Sequence, residues 1–133
     1  FDQLLAFARE WPFDQVGCFP YSDEDGTTAA KMPNKVPART IAARHRRFSE
    51  QQARLHIERC ARWVGKTLRV LVDEQRDFGV FACRHQGQAH NVDNVTLVED
   101  DRLAVGDWAT VRVTGTKGVD LVAEVVADAK PKR

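Results

Sequence analysis

Residues 67–73, TLRVLVD, decide what the second half of this chain builds. Successive side chains of a strand point to opposite faces, so Leu68, Val70 and Val72 alternate with Arg69, Leu71 and Asp73. The same texture returns in GVFACRH (79–85), NVTLVE (94–99), DWATVRVTG (107–115) and VDLVAEVVA (119–127). Turn signals separate the runs: Arg76-Asp77, Gln86-Gly87, Gly106-Asp107, Gly115 and Gly118. Five short strands in about sixty residues, with no long helix among them, predict a small closed β-barrel of the oligonucleotide-binding type. Residues 128–133, DAKPKR, read as a basic tail.

Upstream of the barrel, the pattern predicts a long helix over 37–63. Pro37 suits a first helical position, and Gly65 closes the pattern after Trp63-Val64. Ile41, Phe48 and Leu55 recur every seven residues, with Ala38, Ala42 and Cys60 near the same stripe, a narrow apolar seam on a basic rod. Such a rod is either a solvated linker lying on a neighbouring surface or a helix that tracks phosphates. Residues 2–10 read as a short amphipathic helix ended by Trp11-Pro12, residues 13–19 (FDQVGCF) as a buried strand, and residues 20–34 as an acidic loop. A helix, a strand and a loop cannot close a core. Together with a first residue that is Phe1 rather than Met, this predicts a piece cut from a longer protein, or a processed one.

At 133 residues, 43% hydrophobic and 29% charged, the chain has room for one ordinary domain or a small module plus part of something larger. No apolar run approaches the eighteen or so residues of a membrane span, and the acidic opening is no secretory signal. Cys18, Cys60 and Cys83 are too sparse for a disulfide scaffold and match no CxxC spacing, which points to the cytoplasm.

The net charge of +1 hides segregation. Residues 1–34 carry two basic groups against six acids, residues 35–66 nine against two, and residues 67–133 nine against eleven. The middle segment alone has a strong phosphate-gripping balance, and the mildly acidic barrel suits a basic protein partner.

No nucleophile–base pair stands out. His45 and His56 share a helix eleven residues apart, beyond joint metal reach. His85 and His90 flank a turn and lack a third ligand in the sequence, and there is neither a P-loop nor GxGxxG. The barrel offers a binding surface instead. Trp108 is out of phase with Val111 and Val113 and is expected to face outward near Arg112, with Arg69, Arg84 and Lys117 as further docking candidates.

The ordered motifs FDQVGCFPYSDEDGTTAAKMPNKVP, an Arg-rich helix with Arg44–Gln51, WVGKTLRVLVDE, RHQGQAHNVDNVTLVED and GDWATVRVTGTKGVDLVAEVV resemble the C-terminal third of radical-SAM methylthiotransferases over about residues 1–127. The resemblance implies an α+β fragment. Residues 1–35 would be the last strand and helix elements of the radical-SAM barrel, 36–65 a linking basic helix, 66–127 a five-stranded antiparallel TRAM barrel, and 128–133 a tail. The acidic loop Tyr21-Ser22-Asp23-Glu24-Asp25-Gly26-Thr27 and the run Gly87-Gln88-Ala89 with Val92-Asp93 are similar to the branch that methylthiolates an aspartate of a small-subunit ribosomal protein. His90-Asn91 and Asn94 depart from that branch, which has Pro-Glu or Pro-Asp and then Gly or Ser.

By this resemblance the parent enzyme uses 4Fe-4S clusters and S-adenosylmethionine. The family's cluster cysteines lie upstream, so the piece alone is expected to bind neither and to be inactive. Phe19 and Tyr21 would lie near S-adenosylmethionine. The expected partner is a ribosomal protein, with RNA as a further candidate, no membrane, and a monomeric state. The rivals are the corresponding part of a tRNA methylthiotransferase and a free-standing RNA-binding module.

Overall fold

The computed structural model describes residues 1–126 and divides into two compact units, one of residues 1–56 and one beginning at Ile57. The expected tail lies outside the described residues.

The first unit holds helix α1 (Asp2–Glu10) and most of helix α2 (Ala38–Cys60). Leu5 and Ala8 of α1 bury against Phe48 of α2, with Phe1, Val16 and Cys18 around them. Trp11 ends α1 in extended backbone, φ −81° and ψ 129°, because the following proline disfavours the helical region. The strand expected at 13–19 is absent. Those residues take no regular structure, and Phe13 and Phe19 are exposed. An apolar run becomes a strand only where a neighbour offers a hydrogen-bonding ladder, and no described strand lies in this unit. Cys18 therefore sits on irregular backbone, not in a sheet.

In α2 of this unit Ile41, His45, Phe48, Gln52 and Leu55 are buried or half-buried in a stripe stepping by four and three, flanked by half-buried Thr40, Gln51 and His56. The expected apolar seam is thus completed by two polar residues. His45 Nε2 lies 3.0 Å from the Cys18 carbonyl, and Gln51 Nε2 donates to the Leu5 carbonyl at 2.9 Å. Arg44 and Arg47 both stack their guanidinium groups on the Phe1 ring at 5.5 Å, and Arg47 also reaches Asp2 at 3.1 Å.

The second unit is a closed barrel of β1 (Thr67–Asp77), β2 (Val80–His85), β3 (Thr96–Glu99), β4 (Trp108–Lys117) and β5 (Asp120–Val125). Around the ring the order is β1-β2-β3-β5-β4. The all-antiparallel expectation fails at one seam: β3 and β5 run parallel, with Leu97 opposite Val122. The reason is parity. Directions cannot alternate all the way round a ring of five, so one neighbouring pair must run the same way.

Val70, Val72, Phe81, Cys83, Val98, Val111, Val113, Leu121 and Ala123 fill the interior, closed by Leu103 and by Cys60 at the end of α2. Burying each such aliphatic side chain contributes roughly 1.5–3 kcal/mol. β1 runs past its expected end to Asp77 through register shifts at Val72/Glu74 and Gln75/Asp77, so the β1–β2 turn falls on Phe78-Gly79. At the other end, Gly65 (φ +84°) donates to the Val113 carbonyl at 2.8 Å. A left-handed backbone there suits glycine and swings the chain from helix into barrel.

Candidate functional site

The outer face of the barrel carries a cleft of about 570 Å³ built by β1, β2, β4 and the turn after β2. Strand pairing explains its composition. Leu71 lies opposite both Arg84 and Trp108, so these side chains form a row across three strands on the solvent side. Arg69, two residues before Leu71, lays its guanidinium 4.5 Å from the Trp108 ring centroid. Its charge sits over the negative face of the indole. Trp63, from the turn that follows α2, forms another wall with its ring 4.8 Å from that of His85 and with Lys66 5.0 Å above it.

Three of the five docking candidates, Arg69, Arg84 and Trp108, thus line one cleft. Arg112 faces outward on β4 opposite Thr67 and Glu124 and is not itself among the residues lining the cleft. The cation on Trp108 is therefore Arg69 from the neighbouring strand, where sequence alone suggested Arg112. Lys117 closes β4 at the opposite end, beside the Gly118 turn.

Arg84 is also held by Asp73, Nε to Oδ1 at 3.2 Å, and His90 Nδ1 approaches the other oxygen of Asp73 at 3.5 Å. Asp73 stands at a β1 bulge, which explains how an acid of β1 reaches a residue beyond the turn.

Sequence reasoning singled out Gly87-Gln88-Ala89 but not what the run builds. Gln88 is 7% exposed, and its amide oxygen accepts from the His85 backbone N–H at 3.0 Å and the Thr96 hydroxyl at 3.1 Å. Its Nε2 has no hydrogen-bond partner among the described residues. Gly87 donates to His85 Nδ1 at 3.0 Å, and a Cβ at this position would lie 2.9 Å from His85 Cε1. Asp93 accepts from the Ala89 N–H at 2.7 Å and folds the rest of the turn. The signal for these roles was the motif itself, since nothing in its polarity distinguishes it from an ordinary loop.

Asn94, one of the departures from the family pattern, donates to the Val119 carbonyl, which also accepts from the Cys60 thiol at 3.1 Å. Inside the barrel, burial and the nearby Asp73 charge push the Cys83 thiol up to about 12.

The first unit has its own cavity of about 600 Å³, lined by Phe19 and Tyr21 among others. Phe19 is 91% exposed. Tyr21 donates to Asp23 at 2.7 Å and accepts from Lys35 at 3.3 Å, while Lys35 also binds Asp23 at 2.6 Å. The lysine holds the Asp23 carboxyl below the usual carboxylate range, and the carboxylate raises Lys35.

The donor set does not fit an iron–sulfur cluster. Among the described residues no group of three His, Cys, Asp or Glu is placed to hold a metal ion, and Cys60 and Cys83 are buried in the second unit. No described helix is long and apolar enough to cross a membrane.

Comparison with known proteins gives this geometry a context. The TRAM domain family matches residues 64–126, which span all five strands. The chain is 42% identical over 125 residues to the ribosomal protein uS12 methylthiotransferase RimO of Chromobacterium violaceum, covering 93% of this chain and 28% of that protein. The proteins of the same name from Bdellovibrio bacteriovorus and Myxococcus xanthus are 37% and 38% identical, covering 96% and 100% of this chain. In each case the chain spans only 28% of the relative's length. The barrel thus matches the TRAM domain family, and nearly the whole chain is similar to a part of the ribosomal protein uS12 methylthiotransferases.

Proposed function

We propose that this chain is the C-terminal part of a cytoplasmic, monomeric, S-adenosylmethionine-dependent methylthiotransferase that modifies an aspartate of a small-subunit ribosomal protein. The observation that carries this reading is the similarity to ribosomal protein uS12 methylthiotransferases along nearly the whole chain rather than along the barrel alone. Residues 1–35 then belong to the edge of the radical-SAM barrel, 36–65 to a linking helix and 66–127 to the domain that docks the substrate.

The clusters and S-adenosylmethionine belong to the rest of the parent enzyme. There they would supply radical generation and the inserted sulfur. The role left to this chain is binding and orientation. Phe19 and Tyr21 would bound the adenosine end of S-adenosylmethionine through the first-unit cavity. The barrel would receive the basic substrate on acidic surface such as Asp77, Glu99 and Asp101, all exposed.

Two measurements test the reading. The genomic frame upstream of Phe1 should encode a CxxxCxxC motif, and a start codon immediately upstream would defeat the enzyme assignment. The chain should bind purified uS12 and do so less well in high salt, because the attraction is between opposite charges. Binding to folded tRNA with none to uS12 would transfer the assignment to the tRNA-modifying branch.

A further inference from the structure

We propose that the outer cleft of the barrel docks an acidic peptide segment of a protein partner, with a carboxylate between Arg69 and Arg84 and a neighbouring large apolar side chain on Leu71. This goes beyond the reading above. The substrate named there is basic and these arginines repel it, so the occupant is a second partner.

Four observations converge. Arg69 and Arg84 are diagonal neighbours, since Arg84 lies opposite Leu71, which places them about 7–8 Å apart at the backbone on one face. Each is already held: Arg69 rests 4.5 Å from the Trp108 ring centroid, and Asp73 holds Arg84 at 3.2 Å. A guanidinium fixed before the ligand arrives loses less freedom on binding, and its planar fork matches a carboxylate. Among the described residues, none that lines the cleft is acidic, although acids outnumber bases in residues 67–133. Beside the charges lie Trp63, Leu68 and Leu71, all half-buried, which form an apolar ledge. Finally, Gln88 on the cleft wall is more than nine-tenths buried, and its Nε2 lacks a partner among the described residues. An unmet buried donor is costly, and a peptide carbonyl or carboxylate relieves that cost.

A nucleic-acid strand fits less well. It carries a charge on every residue, and the acid excess of the barrel repels a long polyanion more than a short peptide with one or two carboxylates. Arg69 also covers one face of Trp108 and so takes stacking surface that a base needs. A basic segment meets two arginines and finds no acid in the lining. An acidic peptide supplies the anion, the apolar side chain and the backbone carbonyl together, within a cleft of about 570 Å³.

The test uses the whole chain and the fluorescein-labelled peptide Gly-Glu-Leu-Glu-Gly. Fluorescence anisotropy at low salt should show saturable binding. The same peptide with glutamine in place of both glutamates should bind roughly ten-fold or more weakly, because hydrogen bonds to a charged group are lost. Glycine in place of its leucine should weaken binding roughly three- to ten-fold, the loss of a partly buried apolar side chain. Arg69→Gln, an exposed change that leaves the core untouched, should weaken binding roughly ten-fold. Gln88→Glu keeps the oxygen that the His85 N–H and the Thr96 hydroxyl use but replaces the unmet donor by a repelling charge, and should also weaken binding. Where that buried change unfolds the barrel, Arg69→Gln decides. Lys117→Ala, at the far end of β4, should change little. Three results would overturn the proposal. One is no binding by a chain whose circular dichroism shows it folded. Another is equal weakening by Lys117→Ala and Arg69→Gln, the mark of diffuse attraction. The last is displacement of the peptide by an oligouridylate at lower concentration than by unlabelled peptide, which would give the cleft to a nucleic acid.

Discussion

The two units of this chain spend their apolar residues in opposite ways. In the barrel, Val70, Val72, Val98, Val111, Val113 and Leu121 are at most 1% exposed, and a continuous ladder of strand pairs satisfies the backbone around them. In the first unit the buried core is Leu5, Ala8 and Phe48, while Leu4, Phe7, Trp11, Phe13, Phe19, Tyr21, Met32 and Val36 stand exposed. Apolar composition is therefore a poor guide to self-sufficiency. What separates the units is closure: the sheet has no open edge and the first unit has no sheet.

The largest test of that contrast pairs two leucines. Leu121→Ala removes a side chain at the centre of the barrel and should cost about 2–5 kcal/mol of its stability. Leu4→Ala removes one that is half in water and should stay within about 0.5 kcal/mol. Urea unfolding followed by circular dichroism reads both, and equal losses would erase the distinction.

A step smaller is Gly87→Ala. The added methyl must displace the His85 ring, so barrel stability should drop by about 1–3 kcal/mol and the near-ultraviolet signal of Trp63 should change.

Cys83 sharpens the comparison by chemistry. Its folded value near 12 lies above the ordinary 9.0 of a thiol, so the unfolded chain loses this proton first as pH rises. The contribution is complete below pH 9 and fades as pH climbs through the folded value. Alkaline titration should therefore weaken the barrel from about pH 9 upward, and Cys83→Ala should remove that part of the slope. At neutral pH a thiol reagent should leave Cys83 unmodified until denaturant is added.

The smallest effect belongs to the loop of the first unit. Asp23→Asn removes the charge that holds Lys35 and Tyr21 to this loop, and should speed proteolysis within residues 21–35 while leaving barrel unfolding unchanged. Because Asp23 is held low, its contribution is present above the ordinary carboxylate range and disappears as pH falls through the lowered value.

Much of the barrel was legible because alternation and turn residues are local signals. Val111, Thr114 and Gly118 announce a strand, its outward face and its end without help from elsewhere. That one pair must run parallel follows from a closed count of five, but that the pair is β3–β5 was not legible, since it depends on the order of strands round the ring. Residues 13–19 misled because a buried strand and an apolar coil share a composition, and only a partner strand tells them apart. In α2, His45 escaped the apolar seam because a polar residue enters a buried stripe when a tertiary partner, here the Cys18 carbonyl, meets its ring, and Gln52 is buried beside it with no sequence signal to mark it. The docking cluster was legible residue by residue through Arg69, Arg84 and Trp108. Their assembly was not, because Leu71 brings them together only once β1, β2 and β4 are in register.

The position of β5 between β3 and β4 has a consequence for the ribosome-bound nascent chain. Four staves emerge first, and none of their mutual pairings can shut the cylinder. Two ribbon margins, on β3 and β4, stay unzipped until residues 120–125 clear the exit tunnel and slot between them. Translation thus delivers the keystone last, and a stall before Asp120 should leave an open, protease-sensitive sheet.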